Sequence, residues 1–225
     1  MPSLKLFVAP NTCARVPTIA LEEIGVPFET ELVRTTAGQQ KTPEYLKVNP
    51  KGKVPALLID GAPLTENVAI LRWLNETYPE AGLLPAAANA LEAHRQTADI
   101  AFFSATVHPL VTRIAMPIKF IEDKALSFEI VRPMGIKDMT GVMQMINARL
   151  EDGPWWYGEA WSVLDGYLYW VWTRCTGVGF PEADFPNIQR HKALMDERPA
   201  VQRAMAREDV HIDVLKTEGI FQAPR

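Results

Sequence analysis

The chain has 225 residues, of which 48% are hydrophobic and 22% are charged, and its formal net charge is -4 at pH 7. This composition is typical of a soluble globular protein with one large domain or two small ones. The slightly acidic balance, without a dense basic patch, argues against nucleic acid as a partner. No apolar run reaches the length of a membrane span, so a membrane partner is not expected either.

The cysteines and histidines predict neither a disulfide framework nor a metal site. Cys13 and Cys175 are the two cysteines, and the four histidines are scattered without zinc spacing. The N-terminus runs directly into a strand pattern, with no signal peptide. We therefore expect a cytoplasmic protein without a metal ion.

Hydrophobic periodicity predicts a strand, a helix and a second strand at the start of the chain. Alternating residues at 4–8 indicate the first strand, and a helix follows from Cys13 to Glu23, with Gly25 as its C-cap. Residues 28–33 indicate the second strand. If the two strands are parallel, this is a right-handed βαβ unit.

The following stretch, residues 52–74, predicts a hairpin and a helix. The apolar run at 56–59 is followed by Asp60-Gly61, a strong hairpin signal because glycine supplies the positive φ of a type I′ turn. Glu66 then lies at the start of a helix with apolar residues near helical spacing. The predicted order βαβ-ββα is that of a thioredoxin-like domain.

Two features of this stretch indicate a role in ligand binding in addition to packing. Val54-Pro55 lies where a loop enters a strand; a trans proline is the default, whereas a cis bond would turn the Val54 backbone outward to a ligand. Glu66 and Asn67 lie at a helix N-terminus, where N–H groups and the helix dipole favour an anion. Glu66 is equally compatible with an ordinary first-turn acidic residue.

Val-Pro-Ala-Leu, a short hairpin and Thr-Glu-Asn-Val-Ala-Ile together resemble the glutathione site of the glutathione transferase superfamily. The resemblance implies that the Val54 backbone, before a cis Pro55, pairs with the cysteinyl part of glutathione. It also implies that Glu66 and Asn67 hold the γ-glutamyl group. Asn67 stands where the family usually has serine, and its amide still offers a donor and an acceptor.

The loop at residues 9–15 is the predicted place of the chemistry, since N–H groups at a helix N-terminus stabilise a thiolate. Its string Ala-Pro-Asn-Thr-Cys-Ala-Arg-Val resembles the beta-class pattern, with Cys13 on the class cysteine, and also the nu-class loop, with Asn11 on its asparagine. Cys13 has three interpretations: a low-pKa thiol, a bystander that leaves Asn11 or Thr12 to contact the glutathione thiolate, or a small buried hydrophobe.

Four further residues are candidates for binding the carboxylates of glutathione. Arg15 either favours a thiolate, binds a carboxylate, or is a solvated residue on a helix face. The resemblance implies that the polar loop before Val54 serves the glycyl carboxylate, with Gln40 and Lys41 as candidates by position and Lys53 by adjacency. An ordinary polar loop explains most of these residues equally well.

A segment rich in proline and glycine at residues 78–85 predicts a domain boundary. The predicted domains are 2–82, thioredoxin-like and glutathione-binding, and 88–225, which is all-helical.

Two features of the helical part are informative. Ser162 and Asp165 form a capping box at the start of an apolar helix, for which the resemblance implies a folding role. His108 lies on a long helix where beta-class proteins have a histidine near glutathione, although a lone helix histidine is more often structural.

These observations predict an α/β thioredoxin-like domain followed by an all-α helical bundle. The resemblance implies a glutathione transferase, a homodimer, that stabilises the thiolate of its co-substrate glutathione and conjugates it to an apolar electrophile. One alternative is a glutathione-dependent thiol–disulfide reductase or peroxidase; because no Cys-x-x-Cys is present, glutathione would be its resolving thiol. Another is a non-catalytic interaction protein with the transferase fold.

Overall fold

The computed structural model describes residues 1–223, which divide into two compact units. The first unit contains Met1–Leu83 together with Glu197–Ala223, and the second contains Leu84–Asp196. The sequence placed all of 88–225 in one helical domain, of which 224–225 lie outside the described residues. The structure instead groups 197–223 with the first unit, because a C-terminal helix packs against the first helix of the chain.

The strands are β1 (Leu4–Val8), β2 (Glu29–Leu32), β3 (Ala56–Ile59) and β4 (Ala62–Thr65). Within residues 1–223 they form one sheet in the order β2-β1-β3-β4. β2 runs parallel to β1, whereas β3 is antiparallel to both β1 and β4. This is the predicted thioredoxin-like βαβ-ββα arrangement.

The helices of the described residues are α1 (Arg15–Ile24), α2 (Pro43–Val48), α3 (Asn67–Thr77), α4 (Ala90–Ala101), α5 (His108–Ala115), α6 (Lys124–Leu126), α7 (Arg132–Arg149), α8 (Val163–Thr176), α9 (Pro186–Glu197) and α10 (Pro199–Thr217). No helix in this part of the chain is both long and apolar enough to cross a membrane.

The core of the first unit follows from the predicted periodicity. Leu6 on β1 lies opposite Leu57 on β3, and both side chains are completely buried. Ile19 and Ala20 on α1 are also completely buried, as the apolar face of that helix predicts. The sheet and α1 therefore hold the loop between β1 and α1 on a rigid support.

The turns of the first unit confirm two of the local signals. Asp60 and Gly61 have φ values of 50° and 84°, as a type I′ hairpin turn requires. Gly25 ends α1 in the left-handed conformation, with φ 76°. α1 begins at Arg15 rather than at Cys13, because residues 12–14 form a preceding turn in which Thr12 O accepts the Arg15 N–H at 3.1 Å.

The second unit contains the buried helix α8, and the predicted capping box lies at its start. The Asp165 carboxylate accepts hydrogen bonds from the Ser162 N–H at 2.8 Å and the Trp156 N–H at 2.7 Å. It also lies 3.1 Å from His191 Nε2, and both side chains are buried. His191, which the sequence did not single out, thus extends the capping box to α9.

Two π-helical segments lie between helices of this unit. Phe102–Val107 lies between α4 and α5, and Ser127–Val131 lies between α6 and α7. Each segment comes shortly before a proline, Pro109 or Pro133, near the first position of the next helix. A proline lacks the N–H of the regular i→i−4 bond and clashes with that carbonyl, which accounts for the local widening of the helix.

Candidate functional site

The loop that joins β1 to α1 is braced by its own side chains. Asn11 has a left-handed backbone conformation, with φ 60°. The Thr12 hydroxyl donates to the Ala9 carbonyl at 2.6 Å and accepts the Ala14 N–H at 3.3 Å. The candidate residues Asn11 and Thr12 therefore occupy a defined turn just before the N-terminus of α1.

Cys13 is buried in this loop, and its Sγ lies 3.9 Å from the carbonyl oxygen of Val54. Burial raises the pKa of the Cys13 thiol to about 12, and the negative charge of Glu66 acts in the same direction. This is opposite to the shift that a low-pKa nucleophile needs. The burial of this thiol therefore weighs against the low-pKa interpretation of Cys13.

The start of α3 contacts the same loop. Asn67 is buried, and its Nδ2 donates to the carbonyl oxygen of Cys13 at 3.1 Å. Glu66, the preceding N-cap residue, is exposed and has a φ of 75°. Its carboxylate lies 2.7 Å from Lys51 Nζ, a partner that sequence reasoning missed. The N-terminus of α3 therefore carries an exposed ion pair between Glu66 and Lys51.

The Val54-Pro55 bond is cis, as the family resemblance implies. The carbonyl of the preceding Lys53 accepts two hydrogen bonds, from the Tyr45 hydroxyl at 2.8 Å and from Asn49 Nδ2 at 2.6 Å. Both donors are buried, and sequence reasoning missed both. The Asn-Pro-Lys-Gly turn that begins at Asn49 was the available signal, since asparagine side chains often bond to nearby backbone groups.

The structure brings the turn Gln39–Lys41 against the loop before Val54. A Cβ atom on Gly52 would lie 2.8 Å from both the Gln40 carbonyl oxygen and Lys41 Nζ, so a larger residue would not fit there. Gln40 Nε2 donates to the Thr35 carbonyl at 3.2 Å. Lys41 and Lys53 are both exposed, which leaves two cations on this side of the site.

Arg15 is neither a solvated residue nor an exposed binder of carboxylates. It is buried, and its guanidinium makes a bidentate pair with Glu208 on α10, with Nη2–Oε1 at 2.7 Å and Nε–Oε2 at 3.0 Å. Glu208 Oε1 also accepts the N–H of Asn11 at 2.9 Å. Sequence reasoning missed Glu208, because no local pattern relates α10 to the first loop.

His108 belongs to the second unit, where it is the first residue of α5. Its ring packs edge-on against Trp170, with centroids 4.7 Å apart. This packing supplies a structural role for His108. Among residues 1–223, no group of histidine, cysteine and acidic side chains could hold a metal ion.

In the first unit, the β1–α1 loop, the cis-proline turn and the start of α3 meet through contacts of Cys13 with Val54 and Asn67. This arrangement, on a four-stranded sheet of the described residues, defines a thioredoxin-like unit with a polar site at the start of α1. A separate helical unit completes the architecture.

Comparison with known proteins identifies the family. The model described as "Glutathione S-transferase, N-terminal domain" matches residues 12–77. The chain is 30% identical over 207 residues to Glutathione S-transferase GstA of Escherichia coli O157:H7, covering 91% of this chain and 98% of the relative. It is 31% identical over 221 residues to Glutathione S-transferase GST-4.5 of Xanthomonas campestris pv. campestris, covering 96% and 100%. The chain belongs to the glutathione S-transferase family.

A solved structure agrees with this assignment. A glutathione transferase homolog from Sulfitobacter, with bound glutathione, has a TM-score of 0.79 at 27% identity and covers 98% of this chain and 100% of its own. Another relative, at 27% identity over 192 residues, is the maleylacetoacetate isomerase of Pseudomonas aeruginosa, with 83% of this chain and 87% of that protein covered. The family therefore includes more than one reaction.

Proposed function

We propose that the first unit binds glutathione as co-substrate and that the protein transfers its thiolate to an apolar electrophile. The observation that best supports this is the meeting of three segments at Cys13, whose carbonyl accepts from Asn67 and whose Sγ faces the Val54 carbonyl. They are the segments to which the family resemblance assigns the cysteinyl and γ-glutamyl contacts.

The proposed binding mode uses charge complementarity at both ends of the tripeptide. Glu66 is exposed at the start of α3, so its carboxylate can accept the γ-glutamyl ammonium, in competition with Lys51. The helix N-terminus favours the carboxylate of the same group. The exposed Lys41 and Lys53 suit the glycyl carboxylate, and the Val54 backbone suits the cysteinyl amide.

The proposed nucleophile is the sulfur of glutathione and not that of Cys13. With a pKa of about 12, the Cys13 thiol stays protonated near neutral pH. The proposed donors to the bound thiolate, which would lower the pKa of its thiol, are the Asn11 side chain and the N–H groups from Thr12 to the N-terminus of α1. The Thr12 hydroxyl itself already donates to the Ala9 carbonyl. The thiolate then attacks the electrophilic carbon, the leaving group departs, and proximity accelerates the step.

Three other possibilities are separated by experiment. A reductase or peroxidase that uses Cys13 as its nucleophile is disfavoured by the burial of this thiol. An isomerase, as one relative is named, would use the same bound thiolate and return it unchanged. An interaction protein would not bind glutathione. A homodimer remains an expectation from the family, and a cytoplasmic location remains an expectation from the cysteine content. Light scattering on the purified chain tests the dimer.

The experiment is calorimetric titration with glutathione, followed by a transfer assay with the aryl halide chlorodinitrobenzene. We expect micromolar to low-millimolar binding that weakens about tenfold or more in Glu66→Ala, equivalent to about 1.4 kcal/mol. Glu76→Ala is the matched control, since Glu76 lies on the same helix and forms an exposed ion pair with Arg72. Absence of binding to the wild type at millimolar glutathione would overturn the proposal.

A further inference from the structure

The carboxylate of Glu208, on α10, accepts hydrogen bonds from Asn11 in the loop that joins β1 to α1 and from Arg15 at the start of α1. Oε1 accepts the backbone N–H of Asn11 at 2.9 Å and the Nη2–H of Arg15 at 2.7 Å. Oε2 accepts the Nε–H of Arg15 at 3.0 Å. The carboxylate therefore joins the left-handed turn of the loop to the first residue of α1.

The pair is enclosed in the protein and is not a loose surface contact. The side chains of Arg15 and Glu208 are 7% and 10% exposed. Bidentate, charge-assisted bonds of this kind are stronger than neutral ones and fix the relative orientation of the two groups. The charge of Arg15 is balanced by Glu208, so neither group is left as an uncompensated buried ion.

The contact falls on a residue of the loop that has a left-handed backbone. Asn11 has φ 60°, which is uncommon for a residue other than glycine. A small cavity whose lining includes Pro10, Thr30 and His211 lies beside the pair, and Arg15 and Glu208 themselves also line it. Glu208 supplies a directional contact to the Asn11 backbone on this side.

We propose that Glu208 is a positioning residue for thiol activation, acting through Asn11 and Arg15 to hold the loop in the geometry that stabilises the glutathione thiolate. The inference rests on the proposed function, because it concerns the same site. Glu208 is more than a hundred residues from that loop in the chain, on the last described helix, which makes α10 a functional part of the first unit.

The test uses two Glu208 variants and a control variant at another carboxylate that joins α1 to α10. Glu208→Ala removes the acceptor and the charge, whereas Glu208→Gln keeps an acceptor for Asn11 and loses the charge that Arg15 requires. Glu22→Gln is the control, because Glu22 is a buried carboxylate on α1 whose bonds run to Arg203 and Arg207 of α10 instead of to the loop.

Three readouts are measured on the full chain: the pKa of the bound glutathione thiol from its thiolate absorbance, kcat/KM with chlorodinitrobenzene, and hydrogen exchange in the peptide spanning Asn11. In Glu208→Ala we expect the thiol pKa to rise by about one unit, kcat/KM to fall about tenfold, and exchange at Asn11 to accelerate. Glu208→Gln should lie between this variant and the wild type, and Glu22→Gln should match the wild type in the thiol pKa.

The outcomes separate the two proposals. If the wild type binds no glutathione, the proposed function fails and the inference fails with it. If the wild type binds and ionises glutathione but Glu208→Ala matches Glu22→Gln in the thiol pKa, the positioning role alone is wrong. If Glu208→Ala is unfolded, Glu208→Gln decides: an unchanged thiol pKa and unchanged exchange at Asn11 overturn the inference.

Discussion

The side-chain amide of Asn67 donates a hydrogen bond to the backbone carbonyl of Cys13, with 3.1 Å between Nδ2 and the oxygen. Asn67 is the first residue of α3, and Cys13 lies in the loop before α1. The two segments that the family resemblance assigns to glutathione are thus joined directly. A serine at this position would have a shorter side chain, whereas the longer Asn67 side chain reaches the Cys13 carbonyl and ties the loop in place.

Asn67→Ala is expected to lower both stability and affinity for glutathione. The variant removes a donor from a buried carbonyl, which costs about 1–3 kcal/mol of unfolding free energy. Asn67→Asp should be worse, because a buried carboxylate would face the Cys13 carbonyl without donating to it. Denaturant unfolding and calorimetric titration with glutathione measure the two effects. Stability equal to the wild type in both variants would contradict the role of this bond.

Cys13 is expected to be unreactive in the folded protein. A pKa of about 12 leaves roughly one thiol in a hundred thousand ionised at neutral pH. Cys175 is also buried, with its pKa likewise raised to about 12. Ellman's reagent should therefore react slowly with the native chain and rapidly with both thiols in guanidinium. Cys13→Ala should keep most of the transfer activity; rapid native labelling of Cys13 would favour the reductase alternative.

Asp165→Ala is expected to destabilise the protein by about 1–3 kcal/mol for each buried N–H donor that it leaves without an acceptor. The carboxylate accepts from Trp156 and Ser162 and lies 3.1 Å from His191 Nε2. Ser162→Ala should cost about 1 kcal/mol, the usual value of a capping side chain. Urea unfolding measures both. Glutathione affinity of the folded fraction should not change, and a selective loss of affinity would contradict a purely structural role.

His211 is expected to make stability depend on pH below neutrality. Burial lowers its pKa from the ordinary value of 6.5, with a smaller effect of Arg207 in the same direction and an opposing effect of Glu208. The unfolded chain therefore binds a proton at higher pH than the folded chain. This contribution to stability is complete above 6.5 and is lost as the pH falls through the folded pKa.

Urea midpoints of the wild type and His211→Gln, compared above and below the ordinary histidine pKa, measure this contribution. The wild type should lose more stability on acidification than His211→Gln does. His94→Gln is the control, since His94 is exposed on α4. Equal acid sensitivity of the wild type and His211→Gln would show that His211 does not carry the effect.

Local signals predicted the features that local chemistry determines. Alternation at 4–8 predicted β1, and Asp60-Gly61 predicted the hairpin turn, because each depends on residues close together in the chain. The cis Val54-Pro55 bond followed from the family resemblance and not from base rates.

The partners of buried charges were not predictable in this way. Arg15 pairs with Glu208, 193 residues later, and His191 meets Asp165 from another helix. No periodic pattern relates such positions, so the sequence left Arg15 as a possible glutathione ligand. The burial of Cys13 was equally unpredictable from the sequence, since a small residue in a loop can be exposed or covered by segments distant in the chain.

The grouping of residues 197–223 with 1–83 has a consequence for synthesis of the chain. The ribosome makes more than a hundred intervening residues before α10, so for several seconds at about 5–20 residues per second the nascent sheet lacks Glu208 and its neighbours. During that time Arg15 and Glu22 have no partners from α10. The first unit therefore reaches its final form only after the residues of the second unit have been synthesised.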